Sequence, residues 1–252
     1  MSILSVPLFL RPLAVAAVTV TVVSLLSSLL SRQIPAPPQL SARSFVVWLH
    51  GLGDSGPANV PIRTFFSSPE FSRTEWSFPS APRAPVTCNN GAVMPSWFDI
   101  YEIPVNAASP NDENSVLEAV KTVHAIIDKE VAAGIPTKNI FVCGFSQGGA
   151  LTLATVLLYP KTLGGGAVFS GWVPFNSSII ASISPEAKKT PILWFHGMVD
   201  KIVLFDAGKS APSFLEQAGM QCEFKAYPNL DHSVAKEELQ YLEPWIRTRL
   251  KI

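Results

Sequence analysis

Apolar residues recur along this chain in two alternating rhythms. Largely apolar runs, each followed within two residues by Gly, stand at 44–49 (SFVVWL), 140–143, 166–170 and 192–195. Runs of that length without alternation predict strands buried on both faces. Residues 76–78, closed by Pro79, and 222–227 predict two further strands. Between the runs the spacing turns helical. Ser115-x-x-Glu118 reads as a capping box, and Val116, Val120, Val123, Ile127 and Val131 follow on one face until Gly134 and Pro136. Residues 147–158 predict an apolar helix, and 205–218 a helix interrupted at Pro212. A last helix starts near Ser233, with Leu239, Leu242, Ile246 and Leu250 on one side and a kink expected at Pro244. Residues 80–112, rich in Pro, Asn and Gly, read as one long loop of the kind that often serves function. Strands alternating with helices predict an α/β fold: a mostly parallel central sheet with helices on both faces. Residues 172–190 leave little room for a lid.

The amino-terminal pattern is different. Residues 13–30 carry no charge, and a helix of that length spans roughly 27 Å, just short of a hydrocarbon core of ~30 Å. Three readings stand: a membrane anchor, a cleaved signal peptide or an organellar transit peptide. Residues 34–38 (IPAPP) form a stiff linker. The expected division is a leader and linker over 1–39 and a folded domain over 40–252, with membrane association through 13–30. A cytoplasmic or secretory location is the alternative.

Charge sharpens that division. The chain of 252 residues balances 19 basic against 19 acidic side chains, but no Asp or Glu precedes Asp54, while Arg11, Arg32 and Arg43 do. Residues 54–252 therefore hold 16 basic and 19 acidic groups. Such a domain has no basic excess for nucleic acid. The low charged fraction of the whole chain, 15%, and its 10% aromatic content also exclude disorder. Cys88, Cys143 and Cys222 make neither a disulfide framework nor a zinc pattern, and read as reduced thiols.

The chemistry concentrates at Gly144-Phe145-Ser146-Gln147-Gly148, a G-x-S-x-G between a predicted strand and a predicted helix. There the serine hydroxyl projects from a sharp turn, and the Gln147 amide sits at the positive helix end, placed to stabilise an oxyanion. A serine nucleophile needs a base and an acid, which follow in the order Ser, Asp/Glu, His. Of four histidines, only His232 lies after the last predicted strand, so it is the expected base. His124 falls inside a helix; His50 and His196 each end a strand before Gly and read as turn supports. Asp200, five residues beyond the strand at 192–195, is the expected acid, ahead of Asp206 in the next helix and Asp231 beside the histidine. The loop His50-Gly51-Leu52-Gly53-Asp54 supplies a second oxyanion donor in the Leu52 amide. No metal or organic cofactor is called for.

Six ordered segments, WLHGLGDSG, PVTCNNGAVMPSWFDI, FVCGFSQGGA, FSGWVP, HGMVD and the His232 loop, resemble the acyl-protein thioesterase/lysophospholipase-like carboxylesterases, a family of small α/β-hydrolases. The wording is most similar to the plant members. The resemblance covers nearly all of 44–250. It implies hydrolysis of carboxylic esters and thioesters of long-chain acyl groups, with Ser146, Asp200 and His232 as triad and Leu52 and Gln147 as oxyanion hole. It further implies Met94, Trp97, Trp172 and Val173 as substrate-binding residues, and an S-acylated protein or lysolipid as substrate. A small-ester carboxylesterase and a catalytically silent acyl-binding homologue are the alternatives. The chain departs from the family pattern at Asp231, where glycine is usual and a positive φ is the concern, and in its apolar leader.

Overall fold

The computed structural model describes residues 43–250. The apolar run 13–30 and the linker 34–38, expected as an anchor or targeting segment and its spacer, lie outside these residues. Six strands, β1 (Ser44–Leu49), β2 (Thr74–Ser77), β5 (Ile140–Phe145), β6 (Gly165–Phe169), β7 (Ile192–Gly197) and β8 (Cys222–Tyr227), form one sheet in the order β2-β1-β5-β6-β7-β8. Every neighbouring pair is parallel.

Side chains of successive strand residues point to opposite faces, and each face has its own core. Phe45, Val47, Leu49, Val142, Val168 and Trp194 join helices α2 (Glu113–Ala132) and α3 (Gln147–Leu158). Val46, Trp48, Phe141, Phe169, Leu193 and Phe195 join Leu239, Leu242, Trp245 and Ile246 of α6 (Lys236–Arg247). The two innermost strands, β5 and β6, carry no charged or hydroxyl side chain because both faces are covered. Helix α3 is buried from Gln147 to Leu157, which explains why its sequence shows no polar stripe. A Cβ on Gly165 would meet the Trp245 ring at 2.4 Å, so the bare glycine lets α6 settle on the sheet.

Several expectations need correction. The segment 80–112 is not one loop: β3 (Arg83–Val86) and β4 (Ala92–Pro95) form an antiparallel hairpin. Pro85 and Pro95 masked it, since proline argues against a strand except at an edge. Asn90 and Gly91, with φ of 55° and 75°, turn the chain between its strands. Helix α2 is capped by Asp112, whose carboxylate accepts from the Ser115 amide at 3.2 Å, so Ser115 lies in the first turn. The 205–218 helix breaks as its proline suggests, into α4 (Phe205–Lys209) and α5 (Ala211–Gln217). A short helix α1 (Gly56–Asn59) follows the loop after β1.

The chain enters β1 from Arg43, whose guanidinium donates to Ala133 O at 2.8 Å and to Glu75 Oε1 at 2.6 Å. That is the amino-terminal end of the parallel strands.

Candidate active site

The described site lies at the carboxyl ends of β1, β5 and β7, where ligands of open parallel sheets bind. Ser146 follows β5 directly, with φ 56° and ψ −119°. This strained region costs on the order of 1–3 kcal/mol for a residue with a side chain. Packing holds it. A Cβ on Gly144 would stand 2.3 Å from Gly148 O, and one on Gly148 would stand 2.1 Å from Leu49 O. The Ser146 amide also donates to Phe169 O at 2.8 Å. The two glycines of the pentapeptide thus let strand, turn and helix close on one another.

Ser146 Oγ lies 2.9 Å from His232 Nε2, and His232 Nδ1 lies 2.7 Å from Asp200 Oδ2. Because a carboxylate only accepts, Nδ1 carries the proton and Nε2 is left to accept from the serine. Asp200 is buried at 4% exposure, and its other oxygen accepts from the Ile202 and Val203 amides, both at 2.9 Å. Burial opposes its ionisation, but the His232 bond and charge, with those two amides, outweigh it and hold the carboxyl below its ordinary range. Asp206 lies on α4, and Asp231 Oδ1 accepts from Ser233 Oγ at 2.6 Å. Asp231 is not among the residues with positive φ, so its backbone carries no strain where glycine is usual.

The other histidines support loops. His50 Nδ1 donates to Gly51 O at 2.7 Å and Nε2 accepts from the Ala81 amide at 3.0 Å. His196 Nε2 donates to Val203 O at 2.9 Å and stands 3.7 Å from Asp200 Oδ2. Burial pushes its pKa down, so it stays neutral beside the carboxylate. His124, on α2, meets Thr155 O at 3.0 Å.

Neither the Leu52 N–H nor the Gln147 N–H donates to another group among the described residues. Leu52 lines a cavity of about 210 Å³ that reaches Ser146, the residue before Gln147, and His232, and is walled by Ile100, Ile103, Val105, Trp172, Ile202 and Val203. Of the four substrate-binding residues expected from sequence, only Trp172 lies in that wall. Val173 lines a neighbouring cavity. Met94 is half-buried, its sulfur accepting from Asn89 Nδ2 at 3.2 Å. Trp97 is buried, its indole N–H donating to His50 O at 2.9 Å. The sequence reading missed Ile100, Ile103 and Val105. Their only signal was the length of the loop that carries them. Ile202 and Val203 were legible only as neighbours of Asp200.

Comparison with known proteins agrees with this architecture. A probable carboxylesterase of Oryza sativa subsp. japonica is 68% identical over 89% of this chain and 86% of its own length. Carboxylesterase SOBER1 of Arabidopsis thaliana is 67% identical over 83% of this chain and 92% of its own. Its crystal structure superposes with a TM-score of 0.82, covering 83% of this chain and all of that one. Acyl-protein thioesterase 1 of Cryptococcus neoformans is 36% identical over 87% of this chain and 98% of its own. The model of the phospholipase/carboxylesterase family matches residues 33–250, and the chain belongs to that family, with an α/β-hydrolase fold.

Proposed function

We propose that this protein hydrolyses carboxylic esters and thioesters of acyl groups through Ser146, His232 and Asp200. The observation that carries the reading is the pair of hydrogen bonds, 2.9 Å and 2.7 Å, that link the three beside an apolar cavity. His232 Nε2 takes the proton as Ser146 Oγ bonds to the acyl carbon. The carbonyl oxygen becomes an oxyanion facing the Leu52 and Gln147 amides. Asp200 stabilises the imidazolium, which then gives its proton to the departing alcohol or thiol. Water, deprotonated by the same imidazole, attacks the acyl-enzyme and releases the acid.

The cavity takes the acyl chain. At about 210 Å³ it is smaller than the ~300–1,000 Å³ of drug-sized pockets, so it holds the first carbons only. Its rim includes the exposed side chains of Ile103 and Ile202, and the exposed Tyr101 follows Ile100 of its wall. The 103–105 and 202–204 segments are stitched by Val105 N–H to Ile202 O and Leu204 N–H to Val105 O, both at 2.8 Å. The rim gives the rest of a long chain an apolar resting surface, which suits an S-acylated protein or a lysolipid. Among the described residues no helix is long and apolar enough to cross a membrane. Membrane association belongs, in this reading, to 13–30, with 1–39 as leader and linker and 40–252 as the hydrolase.

Labelling with a fluorophosphonate tests the proposal. The wild-type protein should be modified at Ser146 and turn over aryl esters; Ser146→Ala should lose both, with kcat lower by on the order of 10⁶-fold. Turnover surviving in Ser146→Ala would refute it. A protein that binds an acyl ligand without labelling or turnover would be the silent homologue instead.

A further inference from the structure

The two oxyanion donors sit on separate loops. Leu52 follows β1 and Gln147 follows β5, and no short stretch of chain fixes their separation. A third segment touches both loops. On the Leu52 side, the Gly53 amide donates to Pro95 O at 2.8 Å, and the Trp97 indole N–H donates to His50 O at 2.9 Å. The residues on either side of the Gly51-Leu52 pair are thus tied to 95–97.

On the other side the Gln147 side chain, fully buried, is spent on the same segment. Its Oε1 accepts from the Trp97 amide at 3.1 Å, and its Nε2 donates to Ser96 Oγ at 2.9 Å and to Phe98 O at 2.6 Å. Ser96 Oγ in turn donates to Phe98 O at 2.7 Å, and the Ser96 amide to Pro82 O at 2.9 Å, which joins the segment to the base of the hairpin. Trp97 is the one residue bonded to both sides, through its indole and its backbone N–H.

We propose that residues 95–98 are a splint that sets the distance between the Leu52 and Gln147 amides, with Trp97 and the Gln147 side chain as positioning residues. The proposal rests on the oxyanion-hole reading above. Hydrogen bonds aimed at a developing charge work only if they are held in place before the reaction. Five of the splint's bonds run to a donor residue or to one within two positions of it. Their loss leaves the triad's own bonds intact and lets the donors drift apart.

Trp97→Phe removes the indole N–H and keeps an aromatic ring; Gln147→Met removes the side-chain bonds and keeps the length. For each variant that melts within a few degrees of wild type, kcat and KM for an aryl ester are measured beside affinity for an alkyl trifluoromethyl ketone. That ketone forms a tetrahedral oxyanion on the serine. Deleting one oxyanion donor costs ~10²–10³ in turnover, so a displaced one should cost about 10-fold or more. The splint predicts that fall in kcat, KM within about two-fold, and ketone affinity lower by the same factor as kcat/KM. Fluorophosphonate labelling of the variants should slow in parallel. A rate loss without a matching loss of ketone affinity, or wild-type values in either variant, would overturn the splint. Failure of the wild-type protein to form a ketone adduct would instead overturn the active-site reading beneath it.

Discussion

Asp200 holds His232 with one oxygen and is itself held by two backbone amides through the other. In the proposed mechanism its role is therefore orientation as much as charge. Asp200→Asn keeps the shape but offers a donor where the imidazole proton must go, so the wrong tautomer is favoured. We expect kcat to fall by ~10⁴, read in a steady-state ester assay, with the fold unchanged by circular dichroism. A second carboxyl behaves in the opposite sense. Glu238 is fully buried at the start of α6; one oxygen accepts from the Ala235 amide at 2.8 Å and the other has no partner among the described residues. Burial, aided by Glu237, raises its pKa from 4.5 to about 7. Between those values the folded protein keeps a proton that the unfolded chain has released. The contribution is full below about pH 4.5, falls as pH rises and levels off above about 7, a loss of roughly 3 kcal/mol. Glu238→Gln should flatten that slope when urea midpoints at pH 5 and pH 8 are compared. The hydrogen-bonded trio Ser146, His232 and Asp200 was legible as a set because a motif, a strand end and chain order converge on it. Trp97 was not legible as a support: whether a loop side chain faces the substrate or the backbone behind it depends on partners 47 and 50 residues away.

Among the elements, α3 is the one the site can least spare. Its first turn carries Gln147 and Gly148, and its approach to β1 depends on an absent side chain. Gly148→Ala would drive a methyl to 2.1 Å from Leu49 O, so helix or strand must shift. Overpacking of this kind costs about 1–3 kcal/mol. Here it also moves the serine turn, so activity should fall further than the melting temperature alone would explain. Most elements were readable from sequence because the central strands and α2 have unmixed periodicities. The β3–β4 hairpin was not, because prolines occupy Pro85 and Pro95 while its pairing satisfies the backbone groups that remain. The α2 cap was misplaced by three residues because Asp112 and Ser115 both fit a cap, and only the tertiary position of the preceding loop decides between them.

At the scale of the molecule, the small cavity and the exposed apolar side chains at its rim make a definite demand on chain-length dependence. Each methylene buried is worth ~0.8 kcal/mol, about four-fold in kcat/KM. A series of paired esters and thioesters should therefore climb steeply over the first carbons, then flatten for longer chains lying on the rim. A sharp fall at long chains would show that the rim does not accept them. Deleting residues 1–39 should leave kcat/KM for a soluble short ester within about two-fold and abolish sedimentation with membranes; retained sedimentation would assign that behaviour to the domain.

The anchoring of Arg43 to Ala133 and Glu75 has one more consequence. It fixes a polarity for any attachment made through the start of the domain. Parallel strands begin at that end and deliver Ser146 at the other, about six residues or ~20 Å away along β5. A bead, a sensor surface or a fluorescent fusion joined ahead of residue 43 would hold the enzyme by its base. Its catalytic opening would face outward, free to meet substrates too large to diffuse into a crevice.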